Sequence, residues 1–139
     1  MSARAPGAAA ALLAAAATCV AAPPALTPKP QADYMLNCQG CHLPDGTGAA
    51  GKVPSLRTSL APLLQSEAGR RYLVQVPGAA QSALSDAELA QVLNWMVRTL
   101  SARPPPQFRE FTPQEVMRYR ATPLVAVRAA RVRLLGTAP

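Results

Sequence analysis

Two cysteines three positions apart, with a histidine directly after the second, stand at Cys38, Cys41 and His42. No other feature of the 139-residue chain limits its fold so tightly. Two thiols at this spacing can add to the two vinyl groups on one edge of a porphyrin. The histidine that follows then lies beneath the ring and offers a nitrogen to the iron. The run is therefore the attachment signature of a c-type haem, with Cys38 and Cys41 as anchors and His42 as proximal axial ligand. Other chemistries fit less well. A thioredoxin-like pair belongs after a strand in a βαβ unit, and no such pattern surrounds these residues. A structural zinc site takes four Cys or His ligands, whereas the chain has three Cys and one His, with Cys19 far upstream. A Cys38–Cys41 disulfide in a haemless helical module is the remaining alternative, and it leaves His42 without a role.

Covalent haem c is normally built on the far side of a bacterial membrane, and the beginning of the chain agrees with export. Arg4 supplies a positive charge, Ala8 to Val20 form an apolar stretch, and Ala21 and Ala22 are small enough for cleavage. Residues 1–22 thus read as a secretory signal peptide and the protein as periplasmic. An uncleaved anchor is one alternative, although the stretch is short for a membrane span. Lipidation at Cys19 is another, although Ala16 and Thr18 match that pattern poorly.

The length allows one domain. Aromatic side chains are few: Tyr34, Tyr72, Trp95, Phe108, Phe111 and Tyr119. A large core is hard to build from such a chain. A buried porphyrin would supply the missing apolar mass, so the apoprotein is expected to fold poorly.

Residues 23–30 hold four prolines and read as a linker. Gln31 to Cys38 reads as a short helix leading into the cysteines. Residues 43–58, with Gly46, Gly48, Gly51, Pro44 and Pro54, read as a loop, in which Gly46 and Gly48 serve turn geometry. Ser59 to Val76 is a helical region broken near Ser66 or Gly69 and ended by Pro77-Gly78. Ser85 with Glu88 forms a capping box. Leu89, Val92, Leu93, Met96, Val97 and Leu100 follow at helical spacing. Pro104-Pro105-Pro106 is a rigid break. Thr112-Pro113-Gln114-Glu115 is a second capping box, and Thr122-Pro123 opens a further helix to about Leu135. The expected architecture is all-α: a small helical domain over residues 31–100 and a basic helical extension over 101–139.

Residues 31–100 resemble a class I bacterial cytochrome c. Besides the cysteines and His42, the likeness rests on Tyr34 four positions before Cys38 and on the loop Asp45-Gly46-Thr47-Gly48 followed by Gly51-Lys52-Val53-Pro54-Ser55-Leu56. Leu84-Ser85-Asp86-Ala87-Glu88-Leu89 matches the start of the family's C-terminal helix, and Trp95 falls where that helix packs an aromatic on the N-terminal one. Residues 101–139 lie outside the likeness. The resemblance implies one covalent haem c and implies that the Pro54 carbonyl accepts the Nδ1 proton of His42, which would fix the imidazole tautomer. It also implies a carrier of single electrons between redox proteins, such as an exported dehydrogenase and an oxidase, rather than an enzyme.

The sequence departs from the family at the second axial ligand. The loop before the last family helix, Val76 to Ala83, contains neither Met nor His. Met35 is too close to Cys38 to reach the opposite face. Met96 has the spacing to ligate but sits at a core position beside Trp95, where a methionine also serves as packing. Met117 would need the extension to fold over the haem. A five-coordinate iron that binds a small ligand or reacts with peroxide is therefore the rival to a His/Met carrier. Arg70 and Arg71 would then be distal candidates, although solvent or a haem propionate suits them better.

The formal net charge is +7, and after residue 102 seven Arg face two Glu. This balance suits acidic partners or an anionic membrane surface, while nucleic acid is a poor match for an exported haem protein. Lys52, Arg57, Arg70 and Arg71 could ring a haem edge and steer an acidic partner, or be ordinary surface charge. Arg118, Arg120, Arg128, Arg131 and Arg133 could bind a partner or lipid, or simply point outward from a packed belt.

Overall fold

A computed structural model describes residues 29–136 together with Met1. The leader and nearly all of the linker lie outside the described residues. Among the described residues there are seven helices and no strand: α1 (Lys29–Asn37), α2 (Leu56–Leu63), α3 (Glu67–Gln75), α4 (Pro77–Ala80), α5 (Asp86–Thr99), α6 (Pro113–Arg120) and α7 (Val127–Leu135). None is long and apolar enough to cross a membrane.

α1 begins at Lys29, inside the stretch read as linker. Pro30 falls in its first turn, where a missing N–H forfeits no helical bond. Ser66 is the break between α2 and α3, its side chain accepting from Gly69 N at 3.1 Å. Leu56, Arg57 and Thr58, read as loop, are the first turn of α2. Pro77 ends α3 and also opens the short α4, because its fixed φ suits the first helical position. The capping box at Ser85 and Glu88 is complete. Lys29 and Ser85 hold the Glu88 carboxyl at a pKa of about 2.

The remaining two boundaries differ for tertiary reasons. Thr112 caps α6 through Glu115 N at 3.2 Å, but the Glu115 carboxylate does not return to the cap; it is buried against Arg70. Thr122 caps nothing. Its hydroxyl accepts from Gln75 Nε2 at 2.8 Å, and α7 starts only at Val127.

α5 packs most extensively on α1 and on α6. Its apolar stripe of Leu89, Val92, Leu93, Met96 and Val97 is buried. Asn94, on the α6 side, receives Phe111 N at 2.7 Å and donates to Phe111 O at 3.0 Å. The extension therefore joins the core, with Phe111, Val116 and Tyr119 part of the same cluster as Leu60, Val74 and Val92.

Candidate functional site

The cysteines continue the α1 backbone ladder. Cys38 N donates to Tyr34 O at 2.8 Å and His42 N donates to Cys38 O at 2.9 Å. These helical bonds place residues three apart on one face of the turn, so Cys38 and Cys41 border the same cavity with His42. Both are free thiols. Burial, with a contribution from Cys41, pushes the Cys38 thiol up to about 11.

Tyr34 holds this turn from beneath. It is 1% exposed, its ring lies 5.2 Å from that of Trp95 on α5, and its hydroxyl donates to Leu43 O at 2.7 Å. Burial raises its pKa to about 12. The chain then turns at Gly46, whose φ is 79°. A Cβ there would lie 2.9 Å from Leu100 Cβ on top of a backbone strain that glycine alone avoids. At Gly48 a Cβ would fall 2.1 Å from Val53 O and 2.9 Å from Pro54 O. The glycine lets the loop close on Pro54 and keeps Pro54 beside His42.

Two adjoining cavities, of about 140 and about 410 Å³, share Cys41, His42, Leu56, Leu73, Val76 and Gly78 as walls. The smaller is closed by Leu89, Val92, Leu93 and Met96 of α5 and by Ala79 and Ser82. The larger is bordered by Lys52 and Pro54, by Leu60, Leu63 and Tyr72, and by Val127, Arg128 and Arg131. His42 Nδ1 is buried with no hydrogen bond of full geometry. Burial lowers the His42 pKa, and the nearby Pro54 carbonyl opposes that shift without prevailing. That contact falls short of hydrogen-bond geometry, so Nδ1 sits buried beside the Pro54 carbonyl without a completed bond.

Cys38, Cys41, His42 and Met96 line the smaller cavity and Cys41, His42 and Pro54 the larger, and the two adjoin as one slot with mainly aliphatic walls. A porphyrin fits this donor set of two thiols, an imidazole and aliphatic walls. Among the described residues there is no cluster of three or more Cys, His, Asp or Glu side chains suited to a bare metal ion. Met35 and Met117 are exposed, at 52% and 54%, and neither lines the slot.

Three arginines, Arg70, Arg120 and Arg131, lie elsewhere than the sequence suggests, while the other described arginines keep the exposed positions of ordinary surface charge. Arg70 faces neither solvent nor the slot. It is 4% exposed, meets both Glu115 oxygens at 2.8 Å, donates to Arg109 O and Glu110 O, and stacks 4.0 Å from the Phe111 ring centre. Arg71 is exposed and lies over Tyr119. Arg57 donates to Asp45 O at 3.2 Å, and Lys52 is exposed at the slot. In the extension Arg118, Arg128 and Arg133 are exposed, whereas Arg120 and Arg131 point inward.

Arg120, read from the sequence as a partner or lipid contact or an outward-pointing charge, is instead turned into the fold. From α6 it donates to the carbonyls of Ala80, Ser82 and Leu84 and to Asp86 Oδ1, at 2.8–3.2 Å. One guanidinium thereby holds the segment that supplies Val76, Gly78, Ala79 and Ser82 to the slot. No spacing rule marks a contact across 34 to 40 residues.

No family model matches the sequence. The chain is 32% identical over 112 residues to cytochrome c-552 of Thermus thermophilus, covering 67% of this chain and 86% of that protein. Against a second cytochrome c-552 of Thermus thermophilus the identity is 31% over 112 residues, covering 67% of this chain and 76% of that protein.

Proposed function

This chain belongs to the c-type cytochrome family, and from that premise we propose that it carries single electrons between redox proteins on one covalently held haem c. The observation that carries the reading is the meeting of Cys38, Cys41 and His42 at one apolar slot. Haem supplies an iron that alternates between ferrous and ferric states. Cys38 and Cys41 would hold the group by thioether bonds, and His42 would offer its imidazole to the iron. Pro54, whose carbonyl lies near His42 Nδ1, would accept the Nδ1 proton once the ring is drawn to the iron, fixing the tautomer. Leu56, Leu73 and Val92 line the cavity and would shield the group from water, limiting reorganisation on charge transfer. The chain contains a single such cysteine–histidine run, which supports one haem.

Met96 is the one methionine on the wall of the slot and is our candidate for the second axial position. A second reading has a specific observation in its favour: the segment from Val76 to Ala83 borders the slot and offers neither Met nor His. In that reading the iron is five-coordinate and binds a small ligand or reacts with peroxide. The proposal also places the protein in the periplasm, supported by the leader-like residues 1–22. There it would pass electrons from an exported dehydrogenase towards an oxidase.

Optical titration of the haem-loaded protein tests both readings. A carrier titrates reversibly with one electron, shows a sulfur-to-iron charge-transfer band when ferric, and ignores carbon monoxide when ferrous. Met96→Leu then abolishes that band. High-spin ferric iron and rapid carbon monoxide binding in the wild type would overturn Met96 ligation and select the five-coordinate reading.

A further inference from the structure

We propose that Arg131 of α7 binds a propionate carboxylate of the haem, making the C-terminal extension part of the cofactor site. The inference rests on the haem reading above. Arg131 is 7% exposed. Its Nη2 donates to the hydroxyl of buried Ser59 at 2.8 Å, and its Nε is buried with no partner. The side chain lines the larger cavity together with His42 and Pro54.

A guanidinium stays charged at any pH the fold survives. Burying it against a single neutral hydroxyl leaves most of its lost hydration unreplaced. Arg70 shows the complete solution in the same molecule, with two carboxylate oxygens and two carbonyls around one guanidinium. Arg131 has nothing comparable. No Asp or Glu lines either cavity, and the other Lys and Arg that line them, Lys52 and Arg128, are also positive. The missing partner is therefore an anion that arrives with the ligand. Of the groups on a haem, the propionate carboxylates are anionic, and a planar fork is the geometry that recognises them. Ser59 holds Nη2 from the other side, so the fork is oriented before the ligand is in place.

A cation on a propionate offsets a negative charge near the iron and so favours the ferrous state. The test uses the full chain loaded with haem and compares wild type, R131Q, R131K and R133Q; Arg133 is exposed on the same helix and outside the slot. R131Q should lower the midpoint potential and shift the propionate bending band in resonance Raman. R131K should restore most of the potential while still shifting the band, because it returns the charge without the fork. R133Q should match wild type. Equal midpoints and bands in R131Q and R133Q would overturn the proposal. If R131Q fails to load or fold, an unshifted band in R131K overturns it just as well. A wild-type midpoint that moves when chloride is exchanged for phosphate would assign the guanidinium to a free anion and also overturn it. A wild type that takes up no haem fails the underlying reading, which separates that failure from the others.

Discussion

Arg70 Nε donates to Glu115 Oε1 at 2.8 Å across 45 residues of sequence, with both side chains almost fully buried. The pair ties α3 to α6 and, through the Arg109 and Glu110 carbonyls, to the segment between α5 and α6. Breaking such a pair leaves an uncompensated buried charge, which costs about 3–5 kcal/mol. E115L, which strands the Arg70 guanidinium, should lose about that much in urea unfolding, and R70M less, because Arg109 still reaches both Glu115 oxygens at 3.2 Å. R70M/E115L should lose less than the two single variants added together, because no charge is then stranded. Strict additivity would show that the two groups do not act as a pair.

The same carboxylate makes stability depend on acid. Burial alone would raise the Glu115 pKa, but hydrogen bonding and attraction from Arg70, joined by Arg109, bring it below 4.5. A depressed folded pKa contributes stability that is fully present above 4.5 and is lost as pH falls through the depressed value. Wild type should therefore match the slope of E115Q from neutral pH to 4.5 and lose more stability than E115Q as pH falls further below 4.5, read as urea midpoints. Parallel curves would contradict this.

How much of this was legible depended on the range of the signal. Local chemistry was readable: Ser66 and Ser85 cap where their side chains meet the backbone three residues on, and the α5 stripe follows its 3.6-residue period. The cysteine–histidine run and the loop to Pro54 identified one rim of the slot. The far-side contacts were not readable, because Arg120, Arg131 and Asn94 act on groups 17 to 72 residues away. A local rule misled at Glu115, where the buried guanidinium of Arg70 outcompetes the reciprocal cap bond. It misled again at Thr122, whose hydroxyl is engaged by Gln75.

Tyr34 offers a separation of hydrogen bond from packing. Y34F removes only the bond to Leu43 O and should cost about 1 kcal/mol. Y34A also removes the ring from Trp95 and the core, and should cost about 3–5 kcal/mol. Thermal unfolding measures both, and Trp95 fluorescence should change strongly only in Y34A. Equal losses in the two variants would mean that the ring contributes no packing.

Arg120 is a positioning residue for the wall of the slot. R120Q frees the carbonyls of Ala80, Ser82 and Leu84, and amide hydrogen exchange of residues 81–84 should accelerate while the α5 core keeps its protection. Uniform acceleration throughout would instead mark a global loss of stability and contradict the local role.

Attachment of haem to the two cysteines is tested most directly by the mass of the denatured protein after expression with the haem-attachment machinery. Wild type should retain the mass of one haem through denaturation and acid extraction, with a pyridine haemochrome spectrum of two thioether bonds. C38S and C41S should each show one bond, and C38S/C41S none. A wild-type chain at the bare polypeptide mass, or one whose haem is extracted by acid, would contradict the account.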